Sequence, residues 1–376
     1  MKQPEQRRKS NKHIGILAII SLLLTTLMLI FLLHTGGNRR TVTSNTQITE
    51  AFEQDLTDLL STELGGNAET IPQALTLRDS DLIAPEPNPN CFGTAASPEE
   101  MAEVLKSAEA VLHIQSPLFT TKTPVKAGTT IQYYLDETIF AVTWKQTVNR
   151  CTYTFSEVKI AHPSQFRRFL SEGTYNSGIL HKPTEMASSV NAVTASAGDY
   201  YSYRHFGIIV NNGTVYRSNG ALLDTCYIDD NGDLLFTYVN EINGKDDVQN
   251  YVNEHNIRFS LSFGPVMLAN GENKVPMTYN SGEINQTFPR AALCQIDQLH
   301  YVMVCANDEK PDYQLPTVSQ FAESLADLGI PTAYALDGGQ TASIVFNDQL
   351  INTVSYGSQR KTSDIIYFAT AVENEQ

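Results

Sequence analysis

Tyr334-Ala335-Leu336-Asp337-Gly338-Gly339-Gln340-Thr341-Ala342-Ser343-Ile344-Val345-Phe346 is the stretch on which the fold turns. A short apolar run ends in one carboxylate, two glycines follow where a side-chain-free backbone can turn or approach a ligand closely, and hydroxyls then alternate with apolar residues. This pattern predicts strands over 333–336 and 343–346. The turn between them has two readings at this point: a plain Asp-Gly hairpin, or a polar site built at a strand end.

Outward from it, Thr317-Val318-Ser319-Gln320 is a capping box, and Val318, Phe321, Ala322, Leu325 and Leu328 recur on one helical face before Gly329 and Pro331 end it. Ser97-Pro98-Glu99-Glu100 opens a second helix, expected to run to about 112. From Ile131 the chain becomes rich in β-branched and aromatic residues, which predicts strands over 131–135, 139–144 and 152–160. A short helix is expected from Pro163 to Leu170. Further strands are expected near 192–196, 207–210, 214–216, 258–261, 291–295, 301–305 and 364–369. Asn211-Asn212-Gly213 and Asp229-Asp230-Asn231-Gly232-Asp233 read as hairpin turns; the second lacks the bidentate Glu that would complete a calcium loop. The fold class is therefore α+β, a mainly antiparallel or mixed sheet with flanking helices.

The N-terminus has a different character. Lys2, Arg7, Arg8, Lys9 and Lys12 precede Ile14 to Leu33, a run without an ionisable side chain that is long enough to cross a bilayer as a helix. Its exit, Leu32-Leu33-His34-Thr35, lacks the small residues of a cleavage site, so an uncleaved anchor is expected, with a cytoplasmic tail at 1–13 and the rest of the chain outside. Residues 34–90 read as a stalk ending in Pro85-Glu86-Pro87-Asn88-Pro89-Asn90. Ile48, Phe52, Leu56, Leu59, Leu60 and Leu64 give that stalk one amphipathic helix, which either pairs with a second copy or packs back on the domain. Residues 91–130 form a helical extension, and 131–372 the main domain.

A net charge of −15, with 26 Lys and Arg against 41 Asp and Glu, excludes the basic stripe that a nucleic-acid partner needs. The five cysteines, Cys91, Cys151, Cys226, Cys294 and Cys305, show no zinc-ligand spacing; a metal stays unassigned, and no cofactor is implied. Cys294 and Cys305 lie on two apolar runs joined at Asp297-Gln298, either bridged across paired strands or buried as free thiols. His162, His181 and His205 have no carboxylate or nucleophile at a recognisable spacing and receive no catalytic role.

Four clusters place glycine or proline beside a functional side chain at a strand end: Ala197-Gly198-Asp199-Tyr200-Tyr201, Phe263-Gly264-Pro265-Val266, Pro289-Arg290-Ala291-Ala292 and Asp337-Gly338-Gly339. Their order, with Val190-Asn191-Ala192-Val193 before the first and Ser363-Asp364-Ile365-Ile366-Tyr367 after the last, resembles the phosphodiester glycosidase family. The likeness extends to Pro163-Ser164-Gln165-Phe166-Arg167 and to Gly207-Ile208-Ile209-Val210. It implies hydrolysis of a sugar 1-phosphodiester to free sugar and phosphate monoester. On that reading Asp337, Arg290 and Asp199 are the catalytic residues, and Gly338, Gly339, Thr341, Ser343, Asn307 and Gly198 line the substrate. Arg290 would supply a planar fork for phosphate and Asp337 a carboxylate for the anomeric carbon. Tyr200 and Tyr201 read as core and rim aromatics rather than sugar platforms.

Several positions depart from the family pattern: Ala197 stands where asparagine is usual, Ala291 where threonine is, Gln340 and Ala342 where a glycine and a serine are, and Asn307-Asp308-Glu309 where Asp-Gly-Arg is. Lys310 is a weak substitute for that arginine. Two functions follow, an anchored extracellular hydrolase of envelope or exopolysaccharide sugar phosphodiesters, and an inactive relative that binds such glycans or assists their assembly.

Overall fold

The computed structural model describes residues 83–112, 131–280, 283–307 and 314–372. The proposed anchor at 14–33, the stalk helix and the segment Asp308–Glu309–Lys310 lie outside the described residues. Among those described, no helix is long and apolar enough to cross a membrane.

The fold is α+β, and every strand pairing among the described residues is antiparallel. Three sheets form where the sequence suggested one. The largest has nine strands in the order Phe92–Ala95, Ile131–Leu135, Ile139–Val148, Cys151–Ile160, His300–Asn307, Arg290–Asp297, Thr332–Leu336, Val266–Ala269 and Glu272–Asn273. A five-stranded sheet is built around Thr225–Asp229, Ile257–Leu261 and Gly207–Asn211, and another around Ile344–Phe346, Thr194–Ala197 and Asp364–Phe368.

Alternation along the strands explains the layering. Ala292 and Cys294 point to a core shared with Met101 and Ala108 of helix Pro98–Leu112 and with Phe321 and Leu325 of helix Val318–Asp327. Ala291 and Leu293 point the other way, into a core with Phe166, Phe259, Ile344 and Ile366 from the two smaller sheets. The large sheet is thus covered on both faces, which is why His300–Asn307 is buried throughout and shows no polar alternation in sequence. Cys294 and Cys305 sit on paired strands but in opposite layers, and all five cysteines are free.

The helix expected from Pro163 is only a single 3-10 turn, Pro163–Gln165. Phe166–Leu170 continues as a strand paired with Asp364–Phe368, because Arg168 finds a carboxylate there that no local helix could offer. Asp229–Asp233 is the expected hairpin turn: the Asp229 carboxylate accepts from the N–H groups of Asn231 (2.9 Å) and Asp233 (2.8 Å). Helices Pro183–Ser189 and Lys245–Glu254 were not anticipated. The second starts at Gly244 with no side-chain cap, so its entry carried no signal.

Candidate active site at the end of the large sheet

Antiparallel register places three chain-distant segments at one sheet end. Ala291 faces Leu336 on one side and Cys305 on the other, so Pro289-Arg290, Asn307 and Asp337-Gly338-Gly339 emerge together. The Gly339 N–H donates to the Pro289 carbonyl at 3.0 Å, with Gly339 at φ +64°. A Cβ on Gly338 would fall 2.2 Å from that same carbonyl oxygen, so only glycine lets the two strands end side by side. Gly338→Ala should therefore displace the turn, destabilising the fold by about 1–3 kcal/mol in urea titration and lowering any turnover.

This turn borders a cavity of about 270 Å³ lined by Asp337, Gly338, Gly339, Arg290, Glu283 and Phe263, over an apolar floor that includes Met267, Val318 and Phe321. Asp337 is half-buried, yet its Oδ2 is closed to solvent and makes no hydrogen bond to a described residue. Burial drives its pKa up; the nearby Thr341 hydroxyl and the charges of Arg360 and Arg204 pull the other way without cancelling it. The Thr341 hydroxyl, close enough to act on the carboxylate, falls short of full hydrogen-bond geometry.

The guanidinium of Arg290 lines the cavity, but most of its fork is engaged. Nη2 donates to the carbonyls of Glu283 (2.9 Å) and Gln286 (2.5 Å), and Nε to that of Pro316 (3.3 Å). Burial lowers its pKa to about 10. Asp199 lies away from the cavity lining, with Oδ2 accepting from the Ser262 N–H at 2.7 Å and Oδ1 from the Tyr200 N–H at 2.5 Å. It thereby fixes the chain next to Phe263. Gly198 is packed against the Asp364 carboxylate, which a Cβ would meet at 2.6 Å.

Thr341 and Ser343 are fully buried, and neither hydroxyl has a hydrogen-bond partner among the described residues. Asn307 is buried too, its Oδ1 accepting from Asn352 Nδ2 at 3.1 Å while its own Nδ2 has no partner among the described residues. None of these three side chains is part of the cavity lining.

The cations that act on Asp337 are Arg204 and Arg360, neither of which stood out in the sequence. Arg204 is buried, with its guanidinium 5.1 Å from the Tyr200 ring and 4.8 Å from that of Phe263. Arg360 is exposed and sits 5.8 Å from Tyr200 and 5.4 Å from Tyr203, two rings stacked at 4.6 Å. Tyr201, by contrast, is a core residue. An arginine directly after Tyr200-Tyr201-Ser202-Tyr203 was a readable stacking signal; Arg360, in a polar loop, had none. Gln340, at a departure from the family pattern, holds that loop: its Nε2 donates to the Ser358 carbonyl at 3.3 Å and its own carbonyl accepts from the Arg360 N–H at 3.3 Å.

No group of three or more His, Cys, Asp or Glu side chains placed to hold a metal ion occurs among the described residues.

Residues 190–369, which hold Asp199, Arg204, Arg290, Asp337 and Arg360, match the family model described as phosphodiester glycosidase. No curated protein matches the chain. Among solved structures it is similar to the catalytic domain of zebrafish N-acetylglucosamine-1-phosphodiester α-N-acetylglucosaminidase, auto-inhibited by its pro-peptide: TM-score 0.51, 17% identity, 74% of this chain and 88% of that one covered. A hypothetical protein from Synechocystis matches at TM-score 0.43 and 12% identity, covering 61% of this chain and 62% of that one. The segment 190–369 is a divergent phosphodiester glycosidase domain.

Proposed function

We propose that this protein hydrolyses sugar 1-phosphodiesters of the cell envelope or of an exported polysaccharide, held outside the membrane by residues 14–33. The observation that carries the reading is Asp337, an unpartnered carboxylate oxygen at a cavity edge under the influence of two arginines, within the segment that matches the family. Cleavage of the anomeric C–O bond releases a phosphate monoester, a good leaving group that needs little help from a general acid. Arg360, with Arg204 behind it, meets the phosphate charge. Asp337, ionised, faces the anomeric carbon, stabilises its developing positive charge and takes the proton of the attacking water. Arg290 and Asp199 act by position: the first holds the 283–290 segment, the second the 262–263 segment.

The test is incubation of the full-length chain with a panel of chromogenic sugar 1-phosphodiesters. Because Asp337 works ionised and its pKa is raised, activity should be lost in acid, with the limb lying above the ordinary carboxylate value of about 4. Arg360 lowers that pKa, so Arg360→Gln should move the limb to higher pH. A limb that stays in place in this variant contradicts the pairing.

A second reading, binding without turnover, is favoured by Arg290's engaged donors and by Ala197, Ala291 and Ala342, three buried methyl groups where the family resemblance leads one to expect hydrogen-bonding side chains. Saturable binding of sugar phosphates with no hydrolysis of any compound in the panel would select it.

A further inference from the structure

A second groove lies where the apolar layer of the large sheet ends. On strands Ile139–Val148 and Cys151–Ile160, Ile139, Ala141, Val158 and Ile160 belong to the core facing the smaller sheets. Further along the same face the residues become Thr143, Lys145, Thr154 and Ser156, with Gln132 opposite Thr143 and Lys145 opposite Thr154. What stands over this face is the segment Gln349–Ile351, leaving a cavity of about 510 Å³ lined by Gln132, Thr143, Lys145, Thr154, Gln349 and Leu350. That volume is typical of small-molecule sites, roughly 300–1,000 Å³.

The hydroxyls along the strip differ in one respect. Ser156 pairs with the Thr194 hydroxyl at 2.8 Å. Thr154, two residues away on the same strand and 1% exposed, lines the groove, and its Oγ1 has no hydrogen-bond partner among the described residues. A buried hydroxyl left unsatisfied is destabilising, and one carried by a residue that lines a roomy groove marks a place where a ligand group can complete its bonding.

We infer that this groove is a saccharide-binding site, separate from the Asp337 cavity, that takes a neutral oligosaccharide. The ligand class follows from the lining. Threonine hydroxyls and glutamine amides both donate and accept, as sugar hydroxyls do, while Leu350 and Ile351 offer an apolar wall to the C–H face of a ring. One lysine in a chain of net charge −15 gives a polyanion little to hold. The site does not depend on Asp337 being catalytic.

Isothermal titration calorimetry of the full-length chain with cellohexaose, maltohexaose, laminarihexaose and chitohexaose tests it. At least one should bind with a single-site isotherm. Thr154→Val and Gln349→Ala should each weaken that binding by about three- to tenfold. Thr154→Val should at the same time raise Tm, since it removes the unsatisfied hydroxyl, a pair of effects that a purely structural residue would not give. Asp337→Asn should leave the dissociation constant unchanged, and Thr154→Val should leave hydrolysis of a small chromogenic phosphodiester unchanged, so the two sites can fail separately. The inference is overturned if none of the four sugars binds at millimolar concentration, if both groove variants bind like the parent, or if Asp337→Asn abolishes the binding.

Discussion

Asp337→Asn is expected to lower kcat for a sugar 1-phosphodiester on the order of a thousandfold, about 4 kcal/mol of barrier, with KM unchanged or lower. Asparagine keeps the shape of the side chain and its place at the cavity edge, so the fold and the glycine turn are undisturbed. What disappears is the negative charge that stabilises the developing cation and accepts the proton. Binding should not suffer, because the substrate is itself anionic and Arg204 and Arg360 would no longer be shared with a carboxylate. A kcat loss with intact KM assigns the residue to the transition state rather than to ground-state binding. Retention of more than a tenth of the activity, or a loss confined to KM, would remove Asp337 from the chemistry.

The second large effect concerns stability. Arg168 is fully buried, and its Nε is 2.6 Å from Asp364 Oδ2. Nη1 donates to the carbonyls of Val210 (3.1 Å) and Ser260 (2.5 Å), and Nη2 lies 4.0 Å from Asp199 Oδ2. This one guanidinium therefore joins the two five-stranded sheets and neutralises two buried carboxylates. Arg168→Met should cost about 3–5 kcal/mol, because it leaves those charges buried without a cation. Burial already pushes the Asp364 pKa up, to about 7, against the pull of Arg168. A raised carboxyl contributes stability that is fully present below its unfolded value, near 4, and lost as pH rises towards 7. Without the arginine that dependence should steepen, so the deficit of the variant should shrink when urea unfolding is measured at pH 5 rather than pH 7.5. A loss under 1 kcal/mol, or one that ignores pH, would show the cluster to be incidental.

Much of the framework was readable because it depends on local chemistry. The capping box at Thr317 is present, with the Gln320 N–H donating to the Thr317 hydroxyl at 3.2 Å, and the helix it opens buries the face that its spacing marks. The hairpin at Asn211-Asn212-Gly213 joins the strands Gly207–Asn211 and Thr214–Asn219. Asp337, Gly338, Gly339 and Arg290 line one cavity, brought there by the register of strands whose ends carry them. Less legible were the partners that side chains choose. Arg168 looked like part of a short helix, and its carboxylate lies 196 residues away in the chain.

The sequence by itself determined many of the strands, the helices opened at Pro98 and Val318, and the polar turns that close several strands, since periodicity, caps and glycines act over a few residues. Only the tertiary structure decided which donors remain available. Arg290 faces the cavity yet its fork is held by the carbonyls of Glu283, Gln286 and Pro316, Asp199 is bound to backbone N–H groups, and Arg204 and Arg360 act on Asp337. The reason is physical: a charged group's role depends on the groups that surround it in space, and in this sheet those come from strands far apart in the chain.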